Sequence, residues 1–507
     1  MEEKELTGYP SIDKPWLKYY SAEAIYTPLP ECTMYEYVWN NNKDHLNDMA
    51  IVYFGRKFTY KQFFEYVDQT AAAFAKVGVS KGDIVTIQSL SIPQVVFMIY
   101  ALSKIGAVAN LIYATANAAE VKANLAETGS RVLAVMEPMY SELKANISDT
   151  DLDAVVVMSI QDEMDLVSKM LYSVASKANK MKPDGKVVTW KHFYTAGKGE
   201  VSPNEGRNSD PTIMVYTGGT TGKSKGVMLS NYNLNVGALQ YLSLGFERNK
   251  TFLCVLPPFI AFGLTVTIHM PLSFGLKTVL CIAADPTEIG TFVEKHKPNY
   301  IICGTAQAEK MITSLDAKKT DLSALEFLGV GGDALSISLE KKINTFLASH
   351  NSKTRIIQGY AMSETSASST AAVHTIHKQG TVGIPFVYTN IKIVDTETNR
   401  ELPYGKKGEI CINAPCVMIG YYHNEIETNN IIKTHDDGKL WVHTGDIGYI
   451  DQDGFVTIVG RIKRMILTSE NNSFHKVFPK ILEDKFLKML IDLTQHTTRY
   501  SDRPSQS

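Results

Sequence analysis

The residues best suited to chemistry form one loop at positions 216–227, YTGGTTGKSKGV, whose start overlaps the apolar run 212–216 that predicts a short buried strand. The loop holds four glycines, three threonines, a serine and two lysines. Glycine allows backbone N–H groups to approach an anion closely, the hydroxyls add donors, and lysine adds positive charge. This composition predicts a loop that holds the phosphates of a nucleotide, with a Gly/Thr-rich surface turn as the alternative.

The loop fails the Walker pattern G-x-x-x-x-G-K-[ST] by one residue. Gly222, Lys223 and Ser224 match the end of the pattern, but its first glycine would fall at Thr217. The residues of the loop therefore indicate phosphate binding and leave the type of phosphate loop open.

A second glycine-rich cluster, GVGGD at 329–333, follows the apolar run 325–328. Open α/β sheets bind ligands at the carboxyl ends of their strands, so this cluster is a candidate ligand site. The alternative is a tight strand–helix turn in which Asp333 caps a helix.

A third cluster, QGYAMSET at 358–365, follows the predicted strand 354–357. Tyr360 could stack on a base, and Glu364 could ligate Mg²⁺, a hard cation that prefers carboxylate and phosphate oxygen. The alternative is a helix N-terminus with Ser363 as its cap and Glu364 in its first turn.

A fourth cluster, HTGDIG at 443–448, precedes a predicted hairpin whose turn is 451–454. Asp446 could accept hydrogen bonds from two ribose hydroxyls, and Arg461 could reach the same ribose or a phosphate. The alternatives are a turn aspartate and a solvated charge in a linker.

Strands and helices alternate along the chain, which predicts an α/β fold with parallel sheets and helical crossovers. The predicted helices are 64–77, 93–104 and 120–128, and the predicted strands between and after them are 84–87, 107–112 and 132–135. The alternation returns over 251–359. After residue 381 the short alternating strands 391–394, 408–412 and 455–459 predict a β-rich subdomain, followed by a basic stretch at 460–465 that is typical of a linker.

Composition is that of an ordinary globular protein: 507 residues, 44% hydrophobic and 21% charged, with a net charge of −2. That balance argues against nucleic acid as a partner. The longest apolar run, 95–113, contains Lys104 and Asn110, so we expect a buried helix followed by a strand and no membrane span. The amino terminus does not resemble a secretion signal, and we expect a cytoplasmic protein.

The six cysteines mostly lie in apolar runs and are expected to be buried reduced thiols. Cys411 and Cys416 have four residues between them and neither a histidine nor a second cysteine pair nearby in sequence. This spacing argues against a zinc site.

Five motifs, in this order, resemble those of the adenylate-forming superfamily of acyl-CoA synthetases, coumarate-CoA ligases and luciferases. They are YTGGTTGKSKG, GVGGD, QGYAMSET, HTGDIGYID and GRIKR. The resemblance covers about residues 30–483. It implies a large AMP-binding domain over residues 1–459, with two parallel-sheet αβαβα subdomains and a β-rich subdomain. It further implies a hinge at 460–465 and, at 466–507, a remnant of a truncated small C-terminal domain.

The resemblance also implies an acid–thiol ligase. Such an enzyme joins a carboxylic acid to ATP, releases pyrophosphate, and then transfers the acyl group from AMP to coenzyme A. The implied cofactors are ATP, Mg²⁺ and coenzyme A, the implied partner is a small carboxylic acid, and the expected assembly is a monomer or homodimer.

The resemblance also implies roles for the residues of this chain that match the family's motifs. Lys225, Ser363 and Glu364 are the implied catalytic residues; Ser363 would contact the α-phosphate, Glu364 would hold Mg²⁺, and Lys463 would be the hinge. The implied nucleotide-binding residues are Thr217, Gly218, Gly219, Thr220, Thr221, Gly222, Lys225, Gly226, Gly331, Gly332, Asp333, Gly359, Tyr360, Asp446 and Arg461.

The acid pocket is implied at Phe259, Ile260, Gly304 and Gly329. Ile260 stands where the family's P-x-F-H-x-x-G segment has histidine, and no aspartate follows Phe259 to pair with an α-amino group, which favours an uncharged acyl or aryl acid. Small residues such as Gly329 predict room for a longer or aromatic acid.

The chain departs from the family after the hinge, where residues 469–483 (SENNSFHKVFPKILE) replace the expected K-x-x-G-x-x-V-x-P segment. The family's late lysine, in a P-K-T-x-x-G-K context, is absent from 484–507. The expectation is therefore impaired adenylation. The alternative is a catalytically poor homologue that binds ATP or acyl-AMP without efficient turnover.

Overall fold

The structure is a computed structural model that describes residues 6–147, 150–176, 185–199, 204–217, 224–282, 288–316, 319–373, 376–462, 465–468 and 473–476. Its strands are β1 (Met49–Tyr53), β2 (Arg56–Thr59), β3 (Ile84–Gln88), β4 (Val108–Ile112), β5 (Val132–Met136), β6 (Ala154–Met158), β7 (Val187–Thr189), β8 (Pro211–Tyr216), β9 (Gly226–Ser230), β10 (Thr251–Cys254), β11 (Lys277–Leu280), β12 (Tyr300–Gly304), β13 (Phe327–Gly331), β14 (Ile356–Tyr360), β15 (Thr370–Ala371), β16 (Ile384–Pro385), β17 (Asn390–Val394), β18 (Gly408–Asn413), β19 (Gly420–Tyr421), β20 (Ile432–Thr434), β21 (Leu440–Ile450), β22 (Val456–Arg461), β23 (Met465–Thr468) and β24 (Ser473–Lys476).

Helices connect these strands. They are α1 (Pro10–Asp13), α2 (Ala22–Tyr26), α3 (Met34–Asn42), α4 (Tyr60–Lys76), α5 (Pro93–Ile105), α6 (Ala118–Thr128), α7 (Glu137–Leu143), α8 (Leu166–Ser176), α9 (Trp190–Ala196), α10 (Asn231–Gln240), α11 (Ala261–Leu264), α12 (Met270–Ser273), α13 (Ile289–His296), α14 (Thr305–Asp316), α15 (Ile337–Ser349) and α16 (Glu425–Ile431). The predicted helices 64–77, 93–104 and 120–128 are confirmed as α4, α5 and α6.

Two large sheets carry most of the chain. The first has the order β16-β15-β14-β13-β12-β10-β11-β1-β2, and the second β19-β9-β8-β4-β3-β5-β6-β7. In both sheets the central strands run parallel. Antiparallel strands lie at both ends of the first sheet and at the β19 end of the second, whereas β7 at its other end is parallel. The predicted α/β fold with two parallel-sheet subdomains is confirmed.

The third sheet is the predicted β-rich subdomain. Its order is β17-β18-β21-β20, with β22 also paired to β21, and every pair is antiparallel. An Asp451–Gly454 turn, closed by the Gly454 N–H to the Asp451 carbonyl, connects β21 to β22 as predicted. The strand β22 continues through Arg461, two residues into the stretch predicted as a hinge. The domain boundaries themselves stay predictions.

Helix α5 shows why the apolar run 95–113 is core. Every residue of α5 is buried, and Gly106, at φ +74°, ends the helix before β4 begins. Lys104 is buried but its Nζ lies 2.6 Å from Asp68 Oδ1, so its charge is paired. No helix among the described residues is both long and apolar enough to cross a lipid bilayer. All six cysteines are unpaired thiols, and all except Cys32 are buried.

Candidate functional site

The carboxyl ends of three neighbouring parallel strands form the first wall of the candidate site. Strands β12, β13 and β14 end at Gly304, Gly331 and Tyr360, and Gly304 lies opposite Gly331 in register. Because parallel strands all point the same way, the GVGGD and QGYAMSET clusters meet at this one edge.

The GVGGD cluster turns sharply out of β13. Gly332 has φ +88°, a conformation that favours glycine, and the exposed Asp333 uses its carbonyl to accept hydrogen bonds from Thr305 Oγ1 (3.1 Å) and Gln358 Nε2 (3.2 Å). The following helix is capped by Ser336, whose Oγ accepts from the Leu339 N–H. The alternative that Asp333 caps a helix is therefore wrong, and its carboxylate faces solvent at the strand edge.

Asp446 forms the centre of a second wall, in the middle of β21. Its Oδ2 accepts a hydrogen bond from the Tyr360 hydroxyl (2.7 Å), and its Oδ1 lies 2.9 Å from Arg461 Nε on β22. Asp446 is buried, while the Arg461 side chain is 57% exposed. Burial raises the pKa of the Asp446 carboxyl, and Arg461 and Tyr360 oppose that rise.

This geometry corrects two alternatives. Asp446 is a strand residue rather than a turn aspartate, and Arg461 is a strand residue paired in register with Asp446 rather than a linker charge. The structure thus joins Tyr360, Asp446 and Arg461, which are far apart in the chain, into one polar corner. Such a corner presents a carboxylate and a guanidinium beside an aromatic ring.

Glu364 lies in a short 3-10 turn, Ser363–Thr365, and not at the N-terminus of an α-helix. The Glu364 side chain is buried, and its Oε1 accepts a hydrogen bond of 2.6 Å from the Tyr421 hydroxyl. Burial, reinforced by Glu364, raises the pKa of Tyr421 well above its usual range, so the phenol keeps its proton. A buried carboxylate oxygen held in place is a fitting ligand for Mg²⁺.

Lys225 contacts the ring of the same tyrosine. Its Nζ lies 4.3 Å from the centre of the Tyr421 ring and 3.0 Å from Glu427 Oε2. Tyr421 therefore contacts the cation at the end of the phosphate loop through its ring and the carboxylate of Glu364 through its hydroxyl. Sequence reasoning missed both Tyr421 and Glu427, because neither belongs to one of the chemical motifs.

The phosphate loop connects the antiparallel strands β8 and β9. At its described ends, the Thr217 N–H donates to the Lys225 carbonyl (3.1 Å) and Ser224 Oγ donates to the Thr217 carbonyl (2.6 Å). A strand rather than a helix follows the loop, which gives a structural reason for the failed Walker match. Gly218, Gly219, Thr220, Thr221, Gly222 and Lys463 lie outside the described residues, and their roles stay predictions.

The predicted acid pocket follows β10 and borders both large sheets. Phe259 packs edge-on against Tyr113, the residue that follows β4 of the second sheet, with ring centroids 5.5 Å apart. This contact brings the Phe259 segment to the boundary between the sheets. Ile260 is 37% exposed, and the Gly304 N–H donates to Gln307 Oε1 at 2.9 Å.

The two glycines of β13 differ in what they make room for. A Cβ at Gly329 would lie 2.8 Å from Phe327 Cε1, whereas one at Gly331 would lie 3.2 Å from Phe262 Cζ. The space beside Gly329 is thus filled by the core ring of Phe327. The prediction that this glycine leaves room for a longer acid is not supported by its contacts.

Known proteins match most of the chain. It is 25% identical over 481 residues to a long-chain-fatty-acid–CoA ligase of Bacillus subtilis (strain 168), covering 93% of this chain and 83% of the relative. It is 28% identical over 419 residues to the probable 4-coumarate–CoA ligase 1 of Dictyostelium discoideum, covering 80% and 73%.

The fold is also shared with solved structures. A long-chain-fatty-acid–CoA ligase from Archaeoglobus fulgidus matches with a TM-score of 0.75 at 22% identity, covering 88% of this chain and 87% of that one. The family described as AMP-binding enzyme matches residues 38–422, which is more than half of the chain. The protein therefore belongs to the AMP-binding enzyme family.

Proposed function

We propose that this protein is an acid–thiol ligase that activates a carboxylic acid with ATP and transfers the acyl group to coenzyme A. The observation that carries the proposal is that Lys225 and Glu364 both contact Tyr421, while Tyr360 at the end of β14 bonds to Asp446 in β21. A cation for phosphate, a buried carboxylate for a metal and a polar corner for ribose are the groups that ATP requires. The names of the relatives, long-chain-fatty-acid–CoA ligase and 4-coumarate–CoA ligase, support the same reaction class.

In this proposal a carboxylate oxygen attacks the α-phosphorus of ATP, and pyrophosphate leaves. The coenzyme A thiolate then attacks the acyl carbonyl, and AMP leaves. Because a carboxylate is a weak nucleophile, catalysis depends on positioning and charge neutralisation. Lys225 would neutralise the leaving phosphates, Ser363 would contact the α-phosphate, and Mg²⁺ bound by Glu364 would supply further positive charge.

We assign the residues that would bind ribose, adenine and the acid from their positions around the same strand ends. Asp446 would accept from the ribose hydroxyls, Arg461 would flank them, and Gly331 to Asp333 would border the adenine. The acid would lie near Phe259 and Ile260, and the apolar character of both favours an uncharged alkyl or aryl acid. Lys463 would be the hinge, and the protein would act in the cytoplasm.

The test is ATP–pyrophosphate exchange across a panel of long-chain fatty acids, 4-coumaric acid and amino acids, followed by coenzyme A thioester formation. Glu364→Gln should abolish most exchange, and the exposed Glu425→Gln serves as the matched charge control. Exchange with amino acids only would refute the proposed acid class. ATP binding without exchange for any acid would instead support a nucleotide-binding protein that does not turn over.

A further inference from the structure

A cluster outside the nucleotide site brings three potential metal ligands to one face of the third sheet. Cys411 on β18 lies directly opposite His443 on β21, so both side chains share a face. His435 follows β20, where its N–H donates to the Lys439 carbonyl and continues the ladder beside β21. The spacing of Cys411 and Cys416 argues against a zinc site, but antiparallel pairing supplies two histidines from later in the chain.

The three ligand atoms are close enough for a single ion. Cys411 Sγ and one nitrogen from each histidine all lie within 4.8 Å of one another, and His435 Nε2 is 2.9 Å from His443 Nε2. Tetrahedral zinc geometry sets such ligand atoms about 3.3–3.8 Å apart. The two imidazoles need to separate by only about half an ångström, with the ion replacing the proton they share.

The hydrogen bonding around His443 matches that of metal-bound histidines. Its Nδ1 donates to Glu409 Oε2 at 2.8 Å, and the other Glu409 oxygen accepts the Gly445 N–H at 2.9 Å. A carboxylate on one ring nitrogen fixes the tautomer and leaves the lone pair of the other nitrogen free for a metal. Glu409 therefore points His443 Nε2 toward the cluster.

The charge environment suits a thiolate-bound ion. The buried Lys392 on β17 lies opposite Cys411 in register, and its Nζ also lies 3.5 Å from Asp437 Oδ2 and 4.0 Å from the centre of the Trp441 ring. A positive charge beside a cysteine favours the thiolate form that binds a metal ion.

We propose that Cys411, His435 and His443 bind one transition-metal ion of the zinc type, with the fourth coordination position open to water. One sulfur and two nitrogen donors select zinc-like ions, whereas the oxygen ligand Glu364 suits Mg²⁺, so the two sites take different metals. The ion ties β18, β21 and the turn after β20 together. His443 is three residues before Asp446 on the same strand. Metal binding therefore stabilises the strand that contributes Asp446 to the polar corner.

The test uses the full-length protein, reduced and stripped of metal, titrated with Co²⁺ and then Zn²⁺. One equivalent of Co²⁺ should give a sulfur-to-cobalt charge-transfer band and tetrahedral d–d bands, and Zn²⁺ should displace it and raise Tm. Cys411→Ser and His435→Asn should lose the bands, and Glu409→Gln should weaken binding about 10–100-fold.

Matched controls separate the site from generic binding. Cys416→Ser and His423→Asn replace the same residue types outside the cluster and should bind Co²⁺ as the wild type does. His435 lies in a partly exposed turn, so the circular dichroism spectrum and the metal-free Tm of His435→Asn should match those of the wild type. A loss of Co²⁺ binding in this variant then reports on the metal ligand and not on unfolding. Absence of the sulfur band in the wild type, or equal binding by wild type and Cys411→Ser, would overturn the proposal.

Discussion

Replacing Glu427 by glutamine should tighten ATP binding, because it releases the Lys225 ammonium from its ion pair. Lys225 Nζ is 3.0 Å from Glu427 Oε2, and their side chains are 28% and 41% exposed. If Lys225 binds phosphate, ATP must compete with this carboxylate. The cost of breaking the pair is therefore included in the measured dissociation constant of ATP.

The exposure of the pair sets the size of the effect. Each ion pair this accessible to solvent contributes only about 0.5–1 kcal/mol of stabilising free energy, because water and salt screen the attraction between the two charges. Since 1.36 kcal/mol corresponds to a factor of ten, Glu427→Gln should lower the Kd of ATP about two- to fivefold. The gain should shrink as salt rises, because screening weakens the pair in the wild type.

Calorimetric titration with ATP and Mg²⁺, at low and high salt, measures this effect. Glu425→Gln is the matched control, since it removes the same charge from the first turn of α16 but is exposed and should leave Kd unchanged. Lys225→Gln should weaken ATP binding. Adding Glu427→Gln to that variant should leave the Kd of ATP unchanged, because the ion pair is already absent. Tighter binding in both glutamate variants would indicate only a general charge effect, and weaker binding in Glu427→Gln would refute the competition.

Three further predictions follow from buried contacts. Tyr421→Phe leaves the buried Glu364 carboxylate without its hydroxyl donor and should lower the free energy of unfolding in urea by about 1–3 kcal/mol. Burial lowers the pKa of His269 to about 3 from 6.5, so its stabilising contribution is complete above pH 6.5 and is lost as pH falls. Between roughly pH 4 and 6, His269 carries a proton in the unfolded chain but not in the folded protein. His269→Gln should therefore reduce the slope of the unfolding free energy against pH by about 1.4 kcal/mol per pH unit in this range. A Cβ at Gly263 would lie 2.0 Å from the Pro257 carbonyl oxygen, so Gly263→Ala should displace the Phe259 segment and lower kcat/KM at least about tenfold in the thioester assay.

Two of these variants have matched controls. Tyr422→Phe and His423→Gln make the same chemical change at a tyrosine and a histidine that are less buried. A stability loss in Tyr422→Phe equal to that in Tyr421→Phe would remove the role given to the Glu364 hydrogen bond. An unchanged pH slope in His269→Gln would show that His269 takes up its proton in the folded protein as readily as in the unfolded chain. Full activity in Gly263→Ala would show that the Phe259 segment does not position the acid.

Local sequence patterns were enough to predict the alternation of strands and helices and to identify the glycine-rich loop and the order of the motifs. These features depend on local causes: the two periods of apolar residues, the turn preference of glycine, and the donors within a few adjacent residues. Tyr60–Lys76 and Pro93–Ile105 could be predicted for this reason, as could the strand that precedes the phosphate loop.

Which polar groups come into contact depends on how the strands pair in the folded protein. The pairing of β19 with β9 brings Tyr421 into contact with Lys225 and Glu364, and antiparallel register places Asp446 opposite Arg461. The same kind of pairing sets His443 opposite Cys411, which the spacing of the cysteines alone did not show. Strand order and register are fixed by burial of the whole sheet rather than by neighbouring residues, so no local pattern could specify these contacts.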